Sequence, residues 1–96
     1  MPAYVIVEAD VHDPEAYRSY MAASPGAIAA GGGRFVVRGG ETLTLEGDWQ
    51  PRRVVVLEFE DLEAARRWYE SEEYQAAKAL REGVADLKMI AVAGVD

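Results

Sequence analysis

Two segments of this chain are apolar on both faces of a strand, and only two helical stretches exist to cover them. Ala3–Ala9 (AYVIVEA) puts Tyr4 and Ile6 on one face and Val5 and Val7 on the other; Arg53–Phe59 (RVVVLEF) sets Val54 and Val56 against Val55, Leu57 and Phe59. Side chains alternate between the faces of a strand, so a strand apolar at nearly every position needs cover on both sides. Helices supply one layer. The other must come from outside the chain, most simply from a second copy.

Size and charge narrow the choice. A single domain of 96 residues buries only about 60–65% of its unfolded surface and gains from dimerising. Seventeen acidic against ten basic residues give a net charge of −7, which repels phosphate backbones and argues against nucleic acid and anionic membranes as partners. The absence of cysteine excludes thiolate catalysis, Cys-ligated zinc and disulfides, and one histidine cannot build a zinc site alone, so no metal or cofactor is expected. The first residues run into a strand without a signal-peptide pattern, and no apolar run approaches about 18 residues. The expectation is a soluble, cytoplasmic protein.

Punctuation orders the elements. Asp13 caps a helix in DPEAYRSY (13–20), Pro14 suits its first turn, and Tyr17, Tyr20, Met21 and Ile28 recur at helical spacing. Pro25 should kink or restart this helix at Ser24, and Gly31–Gly33 end it. A strand follows in GGRFVVRGG (32–40), then an alternating piece, Thr42–Glu46, and an irregular excursion through EGDW (46–49). Asp61 caps a second helix with Leu62, Ala65, Trp68 and Tyr69 inward; Ser71 restarts it with Tyr74, Ala77 and Leu80 inward, and Gly83 closes it. Leu87–Ala93 is the last strand.

This order predicts one α+β domain over 1–96, a ferredoxin-like antiparallel βαββαβ sheet with two helices on one face. Right-handed crossovers are expected to set the first and third strands parallel in the centre, with the fourth and second as antiparallel edges. Val5, Val7, Phe35, Val37, Val55, Leu57 and Phe59 then face the helices, with Leu87, Met89 and Ala91. Tyr4, Ile6, Glu8, Arg34, Val36, Arg38, Val54, Val56, Glu58, Lys88, Ile90 and Val92 face away. In this arrangement Glu8 and Glu58 lie side by side, and Lys88 and Arg34 meet them at the same end.

Taken together, DPEAYRSY, GGRFVVRGG, EGDW, RRVVVLEF (52–59) and WYESEEYQAAKALR (68–81) resemble the bacterial family of domains of unknown function numbered 1330, within the dimeric α+β barrel superfamily. The resemblance implies two ferredoxin-like chains packed sheet against sheet into a barrel. It implies no activity. More distant members of the superfamily include cofactor-free oxygenases, isomerases and haem-binding enzymes, a likeness of fold and not of site.

Most candidate chemical residues have a plain structural reading. His12, beside Asp13, could be a base or ligand but reads as a solvated loop histidine. Of Ser19, Ser24 and Ser71, two read as helix caps, and the glycines of AAGGGR follow a helix rather than open one, unlike a phosphate loop. The charged sheet face has two readings. Arg34 with Glu58, and Lys88 with Glu8, could be cross-strand pairs that neutralise a dimer interface. Alternatively Glu58 is a catalytic general base in a cavity, with Arg34 or Arg38 holding an anionic or carbonyl-bearing substrate and Tyr4 beside them. If the pocket lies between helices and sheet, Tyr17, Trp68 and Tyr69 form its wall. The chain therefore reads as a homodimer binding a small organic molecule, with cofactor-free acid/base catalysis or a non-catalytic assembly or sensing role as alternatives.

Overall fold

The computed structural model describes residues 1–95 and contains β1 (Ala3–Val11), α1 (Pro14–Ala30), β2 (Arg34–Arg38), β3 (Arg53–Phe59), α2 (Leu62–Glu70), α3 (Glu72–Ala79) and β4 (Ala85–Ala93). Asp13 caps α1 by accepting from the Ala16 N–H at 3.1 Å, and Asp61 caps α2 by accepting from the Ala64 N–H at 2.8 Å. Ser71 serves two helices. Its hydroxyl donates to the Trp68 carbonyl at 2.7 Å, ending α2, and accepts from the Tyr74 N–H at 3.1 Å, opening α3. Ser71→Ala is expected to cost about 1 kcal/mol of stability, read as a lower urea midpoint.

Helix α1 differs from its sequence reading. It runs unbroken through Pro25. Proline removes a single ladder bond, the one to Met21, and the buried Tyr17, Tyr20, Ala27 and Ile28 on both sides of the break hold the helix together. Ser24 accordingly lies buried inside the helix rather than capping one. Two of the three glycines after α1 mark close approaches as well as the helix end. A Cβ at Gly31 would stand 2.8 Å from the Trp68 Cβ, and one at Gly33 would stand 2.5 Å from the Phe59 ring.

The sheet order is β2-β3-β1-β4, and every pair is antiparallel. The central strands are therefore not parallel, as the crossovers were expected to make them. The crossover makes β1 parallel to β2; the reversal from β2 to β3 then sets β3, which sits between them, antiparallel to both. Tyr4 thus faces Glu58 across the ladder, and Glu8 faces Val54. The two carboxylates lie toward opposite ends of the sheet, and the four-charge cluster does not form.

A bulge in β2 is the second departure. Arg34 pairs with Glu58 and Phe35 with Leu57, but Val37 then pairs with Val56 and Arg38 with Val55. One extra residue shifts the pleat, so the faces exchange beyond it. Val37, expected under the helices, joins the open face, and Arg38, expected on the open face, moves to the helix side.

The core lies between helices and sheet, where Val5, Val7, Leu57 and Phe59 meet Tyr17, Ile28, Trp68 and Tyr74. Leu62 and Leu80, expected inward, are exposed. No helix covers the other sheet face. There Ile6, Val36, Val37 and Val92 are exposed and Ile90 is 63% exposed, with Val54 and Val56 half-buried between the strands. No helix among the described residues is long and apolar enough to cross a membrane.

Candidate functional site

The candidate residues fall on both sides of the sheet. On the open face Arg34 forms an ion pair with Glu58, whose carboxylate is partly sheltered by the strand, and Tyr4 lies opposite Glu58 on β1. At the far end Lys88 stands opposite Glu8 in the ladder with no ion pair to it among the described residues, and the Glu8 carboxylate accepts instead from the Arg52 backbone N–H at 3.2 Å. Glu58 therefore has a cation beside it, and Glu8 lies toward the other end of the sheet. That arrangement suits a structural ion pair between neighbouring strands.

On the helix side a cavity of about 30 Å³ opens between α1 and the sheet, and Tyr17, Ser24, Phe35, Arg38, Arg53 and Trp68 are among its lining residues. Arg38 reaches it because of the bulge and is fixed by Pro25. With no N–H at Pro25, the Met21 carbonyl lacks its helical donor, and Arg38 Nη2 supplies one at 3.2 Å. The same guanidinium lies over the Phe35 ring, 4.4 Å from its centroid. Arg53 extends from the same sheet face and packs against Gly39, whose φ of +69° and missing side chain give the guanidinium its space. No carboxylate forms an ion pair with Arg38 or Arg53 among the described residues.

Beneath them is an aromatic cluster. Trp68 lies 4.3 Å from Tyr74 and 5.1 Å from Phe59 between ring centroids, and Tyr17 lies 5.3 Å from Tyr20. The hydroxyls of Tyr20 and Tyr74 share a hydrogen bond of 2.7 Å, and Arg81 Nη2 donates to the Tyr74 oxygen at 3.2 Å. The indole Nε1 of Trp68, which is only 2% exposed, is buried without a hydrogen-bond partner. A buried donor in that condition costs about 1–3 kcal/mol unless something accepts from it. Tyr69 is not on this cavity; with Trp68, Leu62 and Ile90 it lines a separate apolar groove of about 390 Å³ along α2 and β4.

Burial raises the Tyr17 hydroxyl above its ordinary value, against the opposing pull of Arg53 and Arg81. Burial pushes Tyr20 up much further, helped by the neighbouring Tyr74 hydroxyl. The folded chain holds this proton more tightly than the unfolded chain does. Stability is therefore intact below the ordinary tyrosine value of about 10 and falls as pH rises above it. In an absorbance titration Tyr20 should ionise only as the chain unfolds. All five tyrosines titrating together near pH 10 in the folded state would contradict this.

His12 Nε2 stands 2.9 Å from Asp86 Oδ2 in an exposed pair, and no cluster of three or more metal-ligating side chains occurs among the described residues. Sequence reasoning missed Arg53 and the buried Ser24. Arg53 was legible, because it shares the face of Val55 and Leu57 by simple alternation; the bulge that redirects Arg38 left no comparable sign.

Fold and sheet order define a ferredoxin-like α+β protein. The chain belongs to the domain of unknown function family DUF1330, whose model matches residues 2–95. Among solved structures it is similar to a protein of unknown function from Rhodopseudomonas palustris, at 21% identity and a TM-score of 0.76 over 99% of this chain and 83% of that one. It is also similar to SnoaB, a cofactor-independent oxygenase from Streptomyces nogalater, at 18% identity and a TM-score of 0.66 over 99% and 94% of the two chains. A dimeric ferredoxin-like protein of unknown function from Thermobifida fusca is 18% identical, with a TM-score of 0.64 over 98% and 92%. No curated protein matches the chain.

Proposed function

We propose that this chain forms a homodimer through its open sheet face and binds a small organic molecule between helices and sheet. The observation that carries the binding half is the convergence of Tyr17, Arg38 and Trp68 on one cavity, with a buried indole N–H that lacks an acceptor. An apolar recess with a few placed polar groups is the form a small-molecule site takes, and about 30 Å³ sets this one for a very small ligand. The dimer rests on the uncovered apolar face, and the dimeric protein from Thermobifida fusca supports it.

Glu58, Arg34 and Tyr4 take the structural role in this reading. Their ion pair neutralises charge on a face that the second copy covers, because an unpaired carboxylate there would be costly to bury. Catalysis by Glu58 has less support than this role. Tyr69 borders the site through Trp68 without entering it.

The binding half is tested by titrating a panel of very small organic compounds, short-chain acids, amides and alcohols, while following the two indole N–H resonances by NMR. Trp49 is 67% exposed on the loop before β3 and serves as the internal control. At least one compound should shift the Trp68 resonance saturably and leave that of Trp49 in place. If no compound does so, the cavity is not a binding site.

A further inference from the structure

The site just proposed also carries a ligand class, and this inference rests on that reading. We infer that the cavity binds a small monocarboxylate, with its anionic end between Arg38 and Arg53 and a short apolar tail among the core side chains. Three observations converge on it. Both guanidinia line the same cavity and neither has an acidic partner there, in a chain whose net charge is −7. Among the described residues only one N–H of Arg38 is engaged, by the Met21 carbonyl, which leaves the rest of its fork for an anion. The deeper wall is apolar, with Val7, Ile28, Val55 and Leu57.

The apolar wall excludes an ion without a tail as the best ligand. Inorganic phosphate would gain from the charges and nothing from Ile28 or Leu57. The volume sets the upper limit, since about 30 Å³ is far below the roughly 150 Å³ cavity that accepts benzene. Room for about two water-sized groups admits a tail of one or two carbons and excludes a ring.

Pro25 gives the site its logic. The proline frees the Met21 carbonyl, that carbonyl holds Arg38 at the mouth, and Gly39 clears the room in which Arg53 lies. Without the bulge in β2, Arg38 would point to the other face of the sheet.

The test titrates the intact protein with propionate, its neutral near-isostere propionamide, benzoate and inorganic phosphate, following the Trp68 indole resonance with Trp49 as control. Propionate should bind saturably and at least about tenfold more tightly than propionamide, the amount expected for loss of a charged hydrogen-bond partner. Arg38→Gln should remove most of that preference while leaving the urea midpoint near wild type, because Arg38 lies at an exposed edge. Equal binding of propionate and propionamide would overturn the carboxylate assignment and leave the binding site standing. Binding of none of these probes, with other fragments still shifting Trp68, would also overturn it. If no compound of any class shifts Trp68, both readings fall. Phosphate as tight as propionate would remove the tail from the account, and benzoate tighter than propionate would contradict the size limit.

Discussion

Trp68→Ala is expected to destabilise the chain by about 3–5 kcal/mol, the range for truncating a large aromatic side chain in a packed core. Trp68 is the hub of the aromatic cluster, 2% exposed and in ring contact with Phe59, Tyr69 and Tyr74. Its removal also empties the space against Gly31, which has no side chain of its own to fill it. The loss is a large share of a total stability of about 5–15 kcal/mol, so the variant should unfold at a much lower urea concentration. Wild type and variant need equal protein concentration, because the stability of the proposed dimer would depend on it. Trp68→Phe should recover much of the loss, since a ring refills most of the volume while the unpartnered N–H disappears. A loss below about 1 kcal/mol for Trp68→Ala would mean that the cluster is not the core.

Val56→Asp should abolish assembly. Val56 is central on the open face, between Ile6 on β1 and Val37 on β2. In the sheet-to-sheet dimer it would be covered, and an aspartate there would be buried without a partner. Breaking a buried charge pair costs about 3–5 kcal/mol, and this unpaired charge would appear on both copies. The variant should sediment at the chain mass or fail to accumulate as soluble protein. Circular dichroism separates the cases, because a folded monomer keeps its strand and helix signal. The reading is wrong if the variant retains the wild-type mass and urea midpoint.

Much of this fold was written in local signals. Asp13, Asp61 and Ser71 cap the helices because short polar side chains satisfy free N–H groups there, a requirement that depends on neighbours in sequence. The double-faced strands β1 and β3 lie in the centre of the sheet, as alternation of apolar residues demands. What failed was non-local. The antiparallel relation of β1 and β3 follows from counting reversals through the whole chain, and it is what separates Glu8 from Glu58. The bulge at Val36 depends on how β2 fits β3, and no residue in RFVVR announces it.

The same division runs through the site. Arg34 opposite Glu58 was legible because β2 and β3 are neighbours in sequence and pair antiparallel. Tyr17 and Trp68 were legible as inward aromatics. Their meeting with Arg38 was not, because it requires the bulge, and the reason Arg38 stays there is a carbonyl freed by a proline on another element. Pro25 read as a helix break in isolation; in the folded chain it supplies an acceptor.

The open sheet face should be covered by a second copy of the chain, and sedimentation equilibrium at micromolar concentration tests this most directly. A covering interface of at least about 1,200 Å² holds at that concentration. The account predicts a single species at twice the chain mass of 10.5 kDa. A stable, folded species at the single-chain mass would contradict it.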